Sequence, residues 1–231
     1  MPALVIDGHP DARSLTASLA QRYAAGHGDA RALALRDLDF DPSLRFGYRE
    51  RMTLEPDLVD AKRALQEADT VVIATPLWWG SVPALLKGFF DRALLPQQEY
   101  RYNKLGLPDG LLPARHGRLL LLADTPWFFA PFTGLPAQTH VARGTMRFCG
   151  IRSVRTHRML GVKDATPATI TRWLDRAERL GAADGRRDGI PQADSTPQAD
   201  SAPQADSAPQ ADSTPQASAA EAASSSVVAT S

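Results

Sequence analysis

Apolar and polar positions along residues 3 to 180 alternate between two kinds of spacing. Short continuous apolar runs, Ala3–Asp7, Thr70–Thr75 (TVVIAT) and Arg118–Ala123 (RLLLLA), have the length and content of strands buried on both faces. Arg31–Leu38, with Leu33 and Leu35, and Arg152–Met159 alternate and predict two further strands. Between these runs the spacing becomes helical. Leu15, Leu19 and Tyr23 recur four apart over Ser14–Tyr23. Pro56–Ala68 puts Leu58, Ala61, Leu65 and Ala68 on one face, with Pro56 in the first turn. Pro83–Arg92 and Pro136–Phe148 predict two more helices. Thr166 and Pro167 open a last one, carrying Ile170, Trp173, Leu174, Ala177 and Leu180, with Gly181 as its stop.

Five strands separated by helices imply an α/β, doubly wound, five-stranded parallel sheet with helices on both faces. In such sheets ligands bind beyond the carboxyl ends of the strands, where the strand order reverses. The pattern stops near Asp184. From Pro191 the unit Pro-Gln-Ala-Asp-Ser-Thr/Ala occurs four times at a period of six, followed by Pro215-Gln216-Ala217-Ser218 and Ala- and Ser-rich sequence to Ser231. No large apolar side chain occurs in these repeats, so burial has nothing with which to offset the entropy of ordering. The expectation is a folded domain over residues 1–184 and a disordered repeat tail over 185–231.

Composition narrows the function classes. Among 231 residues, 26 Lys and Arg balance 26 Asp and Glu, which gives no ground for a nucleic-acid or membrane-surface partner. No apolar run approaches the roughly 18 residues of a membrane span. The start, Met-Pro-Ala-Leu-Val-Ile-Asp, reads as a core strand and lacks the basic and long apolar regions of a signal peptide, so the expected location is the cytoplasm. A lone cysteine, Cys149, leaves no intrachain disulfide and no multi-cysteine metal site.

Three loops carry candidate chemistry. Gly8-His9-Pro10-Asp11-Ala12-Arg13-Ser14-Leu15-Thr16 runs from the first strand into a helix N-terminus, where unpaired N–H groups favour an anion. Ser14 and Thr16 add hydroxyls, and Ser14 serves equally as a plain helix cap. Neither a dinucleotide fingerprint nor a triphosphate loop is present. After the third strand, Thr75-Pro76-Leu77-Trp78-Trp79-Gly80-Ser81-Val82-Pro83 sets two adjacent tryptophans in a proline-stiffened turn, and Gly80 allows close backbone approach. At least one indole must lie at the sheet edge, a flat wall suited to a planar ring system; packing of both under the loop is the competing reading. After the fourth strand, Asp124-Thr125-Pro126-Trp127-Phe128-Phe129-Ala130-Pro131-Phe132 holds four aromatics within six residues, more than a solvated loop carries. They line either a pocket or a subunit interface, and Asp124 either binds a ligand or caps its turn. In the doubly wound order 2-1-3-4-5 these three loops adjoin.

The segment Pro76-Leu77-Trp78-Trp79-Gly80-Ser81-Val82-Pro83-Ala84-Leu85-Leu86-Lys87-Gly88-Phe89-Phe90-Asp91-Arg92 resembles the NAD(P)H:quinone oxidoreductases of flavodoxin-like fold. Gly8-His9-Pro10 with Ser14-Leu15-Thr16, Tyr102–Pro108, Asp124–Trp127 and Phe148-Cys149-Gly150 follow the same family order, over residues 3 to 180. The resemblance implies a tightly bound FMN or FAD, NADH or NADPH as electron donor, a quinone-like acceptor and a homodimer. It implies that His9, Ser14, Leu15 and Thr16 hold the cofactor's phosphate side. Pro76, Leu77, Trp78, Trp79 and Gly80 would hold the flavin ring, and Asp124, Thr125, Pro126 and Trp127 its other edge. The chain departs from the family after the fourth strand, where many members have Thr-Thr-Gly-Gly and, further on, a Tyr–His pair. Here the loop reads Asp-Thr-Pro-Trp-Phe-Phe, so no catalytic pair carries over and no metal is implied. The implied reaction is two-electron transfer in which nicotinamide and acceptor take turns at one face. Two rivals are a flavodoxin-type electron carrier, for which the chain lacks the strong acidity, and a flavin-binding ancillary subunit of a membrane transport system.

Overall fold

The computed structural model describes residues 3–133 and 135–189. A parallel sheet of five strands forms the centre: β1 (Ala3–Asp7), β2 (Ala30–Ala34), β3 (Thr70–Pro76), β6 (His116–Ala123) and β7 (Ser153–Leu160), in the order β2-β1-β3-β6-β7. With the short antiparallel ribbon β4 (Tyr100–Tyr102) and β5 (Pro108–Gly110) set aside, this is the expected order 2-1-3-4-5. β1 and β3 are buried along their whole length, as their uninterrupted apolar runs require.

Helices cover both faces. On one side α2 (Pro56–Glu67) and α3 (Ala84–Ala93) bury Leu58, Leu65, Leu86 and Phe89 against Ile6, Ile73 and Leu119. On the other, α1 (Leu15–His27) and α6 (Pro167–Asp188) bury Leu19, Tyr23 and Ala177 against Val5, Val72 and Leu120. Side chains of one strand alternate between the two cores, so the registers Val5↔Val72 and Ile6↔Ile73 bring like faces together.

Three elements differ from the sequence expectation. The second strand ends at Ala34 and the chain turns through a 3-10 segment, Leu35–Asp37, where a strand to Leu38 was expected. That turn sends Arg36 back to the end of β1. After the one-turn α4 (Ala130–Thr133), the helix expected over Pro136–Phe148 is a single α-helical turn, α5 (Pro136–Thr139), followed by a π-helix, His140–Arg147. The Thr145 hydroxyl donates to the His140 carbonyl at 3.1 Å, occupying an acceptor with a side chain and favouring the wider winding.

The last helix runs through its expected stop. Gly181 continues inside α6, which ends at Asp188 and so reaches beyond the expected domain boundary at residue 184. Gly181 and Gly185 are packing glycines: a Cβ on either would overlap the backbone of Tyr23 or His27, and Gly26 faces the Glu178 backbone in the same way. Without side chains at these positions α1 and α6 approach backbone to backbone. Below that contact Arg118, 5% exposed, pairs with Asp184, which also accepts the Tyr23 hydroxyl at 2.5 Å. Burial pushes the Tyr23 phenol upward, and the Asp184 carboxylate adds to the shift. The expected tail repeats, from Pro191, lie outside the described residues.

Candidate active site

The carboxyl ends of β1, β3 and β6 meet in an open cleft of about 170 Å³. Three loops line most of it, and the loop after β7 adds one residue. From the first come His9, Ser14, Leu15 and Thr16; from the second Pro76, Leu77 and Trp78; from the third Asp124, joined by Leu122, Ala123 and Val162. The expected site residues outside the cleft lining are Trp79, Gly80, Thr125, Pro126 and Trp127.

The first loop is built on polar bonds. Asp7 is only 5% exposed, and its Oδ1 accepts the His9 amide at 3.1 Å. Ser14 is the N-cap of α1, its hydroxyl accepting the Ala17 amide at 3.1 Å. The capping role is therefore real, and the Ser14 O–H remains a donor. Leu15 and Thr16 belong to the first turn, whose amides no intrahelical carbonyl reaches, and both line the cleft. This end of the cleft is a collection of donors at the positive end of a thirteen-residue helix, the chemistry of an anion site. On the outside, the Arg13 amide holds the Asp11 carboxyl below its usual range.

The second loop is a tight turn. Trp78 and Ser81 exchange backbone hydrogen bonds of 2.9 and 2.8 Å across Trp79 and Gly80, both at positive φ (+52° and +73°). Such two-residue turns favour glycine or asparagine, and a tryptophan at the first position stores strain. The turn parts the two indoles. Trp78 faces the cleft, edge-to-face with His9 at 5.3 Å, while Trp79 is fully exposed. The reading that both pack under the loop is thereby excluded.

In the third loop Asp124 does two things, lining the cleft and accepting the Lys163 amide at 2.8 Å. The Thr125 carbonyl accepts the Gly161 amide at 3.2 Å, so this loop is tied to the one that follows β7. Trp127, Phe128, Phe129 and Phe132 are 78%, 61%, 51% and 83% exposed and form no part of the cleft. These aromatics do not line the pocket that was one of their two expected places; all four stand exposed.

Sequence reasoning missed Val162, Asp7 and Arg36, and read Leu122 and Ala123 only as strand. Val162 lies after the fifth strand of the sheet, a loop without aromatic or hydroxyl signal. Asp7 ends an apolar run and reads as its boundary. Cys149 does not line the cleft, and burial pushes its thiol up to about 12. Among the described residues no cluster of His, Cys, Asp or Glu is arranged to hold a metal ion, and no helix is long and apolar enough to cross a membrane.

A family model described as flavodoxin-like fold matches residues 1–180. This chain belongs to the flavodoxin-like fold family. Within it the chain resembles quinone oxidoreductases. It is 30% identical over 169 residues, 70% of this chain and 83% of the relative, to an FMN-dependent NADH:quinone oxidoreductase of Stenotrophomonas maltophilia. It is 37% identical over 114 residues to a ribosyldihydronicotinamide dehydrogenase [quinone] of Pongo abelii, a match spanning 46% of this chain and about half, 47%, of that relative. The fold superposes on an NAD(P)H:quinone oxidoreductase from Methanothermobacter marburgensis with a TM-score of 0.67 at 21% identity, covering 79% of this chain and 98% of the other. The family resemblance carried by Pro76–Arg92 and Gly8–Thr16 is thus borne out.

Proposed function

We propose that the chain is a flavin-dependent NAD(P)H oxidoreductase that reduces quinones or similar small acceptors by two electrons. The observation that carries this reading is the cleft itself: donors at the α1 N-terminus on one side, and Pro76, Leu77 and Trp78 on the other. That division suits a ligand with an anionic end and a planar ring, and the names of the matched relatives supply the class of ligand. A flavin held there would supply the hydride-transfer chemistry. The chain's own residues bind and orient: Ser14, Thr16 and the first-turn amides would hold a phosphate, and Trp78 would flank a ring. The names of the relatives described above support the oxidoreductase and not the electron-carrier or ancillary-subunit readings.

The site is completed, in this reading, by a second copy of the chain. Trp79, Trp127, Phe128, Phe129 and Phe132, which follow the cleft residues Trp78 and Asp124 along the chain, are exposed aromatics, and obligate interfaces are apolar in this way. Nicotinamide and acceptor would then take turns in one place. The deciding experiment is reconstitution of the purified protein with FMN and with FAD, followed by NADH and NADPH oxidation with a water-soluble quinone. A yellow protein that oxidises either donor without another protein is the expected result. A protein that takes up neither flavin overturns the reading.

A further inference from the structure

We propose that the buried Asp7–Arg36 pair is a positioning device for His9, fixing that imidazole as a donor through Nε2 toward the anionic end of a ligand in the cleft. The proposal rests on the flavin-site reading for the identity of the ligand, and on the geometry alone for the state of His9.

Asp7 stands at the carboxyl end of a central parallel strand, where apolar side chains are the rule, and its carboxylate is almost wholly removed from water. Its partner, Arg36, comes from the 3-10 turn that cuts β2 short, and its side chain is 14% exposed. A buried ion pair is weak evidence for stability, because desolvation offsets most of the attraction. What the pair does with its remaining bonds is therefore informative. Asp7 Oδ1 accepts the His9 amide at 3.1 Å, Oδ2 accepts Arg36 Nη1, and the same Nη1 donates to the His9 carbonyl at 3.3 Å. Both backbone groups of His9 are held by one ion pair.

The ring is then set by two further contacts. His9 Nδ1 accepts the Asp11 amide at 2.9 Å, so Nδ1 carries no proton and a neutral ring carries it on Nε2. The Trp78 indole stands edge-to-face at 5.3 Å and 74°, restricting rotation of the ring. With Nδ1 occupied, the polar atom left for a ligand is Nε2–H, in a residue that lines the cleft beside Ser14 and Thr16. Removal of the ion pair frees the His9 backbone, and with it the Asp11 contact that selects the tautomer. A lysine at position 36 keeps a charged donor for both acceptors; an alanine keeps neither.

Two measurements on the full chain test this. Long-range ¹⁵N–¹H NMR of the imidazoles in ligand-free protein, with His9 assigned by His9→Gln, should show the Nε2–H tautomer in the wild type and in Arg36→Lys, and a tautomer mixture in Arg36→Ala. Fluorescence titration should then show FMN binding weakened about tenfold in Arg36→Ala, the loss of one charge-assisted contact. Riboflavin, which lacks the phosphate, should change less than twofold, and Arg36→Lys should restore most of the FMN affinity. If Arg36→Ala does not fold because Asp7 is left unpaired, Asp7→Ala/Arg36→Ala leaves no buried charge and should give the same two results. An unchanged tautomer, or equal losses for FMN and riboflavin, overturns the proposal. A wild type that binds neither flavin defeats the flavin reading instead, and the tautomer measurement still decides the role of the pair.

Discussion

The backbone of Gly181 in α6 approaches the Tyr23 carbonyl of α1 so closely that a Cβ there would overlap it. Because the obstructing atom belongs to the backbone, no side-chain rotation relieves the clash. Gly181→Ala should therefore separate the helices despite the better helix propensity of alanine, costing about 1–3 kcal/mol or more. At roughly 2–4 °C per kcal/mol for a domain of this size, thermal melting followed by circular dichroism should fall by several degrees. An unchanged or raised Tm would show that α1 and α6 do not meet in this way.

The same helix decides where the chain can be shortened. Asp188 accepts the Thr70 hydroxyl at 2.7 Å and faces His27 Nε2 at 3.2 Å. Truncation after Gly185 removes these contacts and should lower the Tm. Truncation after Gly189 removes only the repeat-bearing segment, which has little apolar surface to bury, and should leave the Tm and any flavin content within error. A loss of several degrees on the longer truncation product would mean that the repeats pack on the domain.

The contrast between Gly181 and Trp78 shows what the sequence could reveal. Strand order and cleft position follow from apolar runs and from residue types that cluster after strands, and Pro76–Trp78 and His9–Thr16 were legible for that reason. Gly181 follows an apolar helical stripe and looks like a terminator; only the neighbouring helix, distant in sequence, makes it a packing residue. Asp7 and Arg36 are likewise 29 residues apart, and each alone reads as a strand end or a surface charge. The family resemblance implies Trp79 and Trp127 at the ring site. The positive φ of Trp79 and the outward course of the Trp127–Phe132 loop, neither encoded in residue type, leave them outside the cleft lining of the single chain.

His157 gives a pH signature. Burial, then the Arg118 and Arg176 guanidiniums at its two ring nitrogens (2.7 and 3.2 Å), lower its pKa from 6.5 to about 4; Asp184 opposes the shift and Arg155 adds to it. The unfolded chain then binds a proton at His157 between about pH 6.5 and 4 that the folded chain does not. Folded stability should rise with pH across that window, with no contribution from His157 above it and a constant one below. His157→Gln should flatten the slope of Tm against pH from 6.5 to 4. An identical slope in the variant would assign the titration to another group.

Oligomeric state follows from the exposed aromatics. Trp127 and Phe132, 78% and 83% exposed, are too apolar a pair for a loop in water, and the expected state is a homodimer of about 50 kDa from a chain of 25.0 kDa. Light scattering at micromolar concentration measures it directly. Trp127→Asp with Phe132→Asp should yield monomer and lower turnover while keeping the fold, since neither side chain belongs to the core. A monomeric wild type would return these residues to a role within one chain.

The kinetic prediction rests on there being one cleft for two substrates. In the proposed reading the three adjoining loops build one shared ring-and-anion site, and the sequence carries no separate dinucleotide fingerprint. Donor and acceptor must then alternate, so double-reciprocal plots of NAD(P)H oxidation at several quinone concentrations should be parallel. Two variants separate the ends of the site. Trp78→Ala removes the wall beside His9 and should change the absorbance envelope and the acceptor KM more than flavin retention. Thr16→Ala with Ser14→Ala removes two hydroxyls at the anionic end and should lower flavin retention first, each charge-assisted bond being worth roughly 1.5–3 kcal/mol. Because Ser14 also caps α1, Ser14→Asp is the control: it keeps the cap but sets a carboxylate against the bound anion. It should preserve the Tm while flavin is lost. Intersecting plots would require donor and acceptor to be bound together, and the shared cleft would then be excluded.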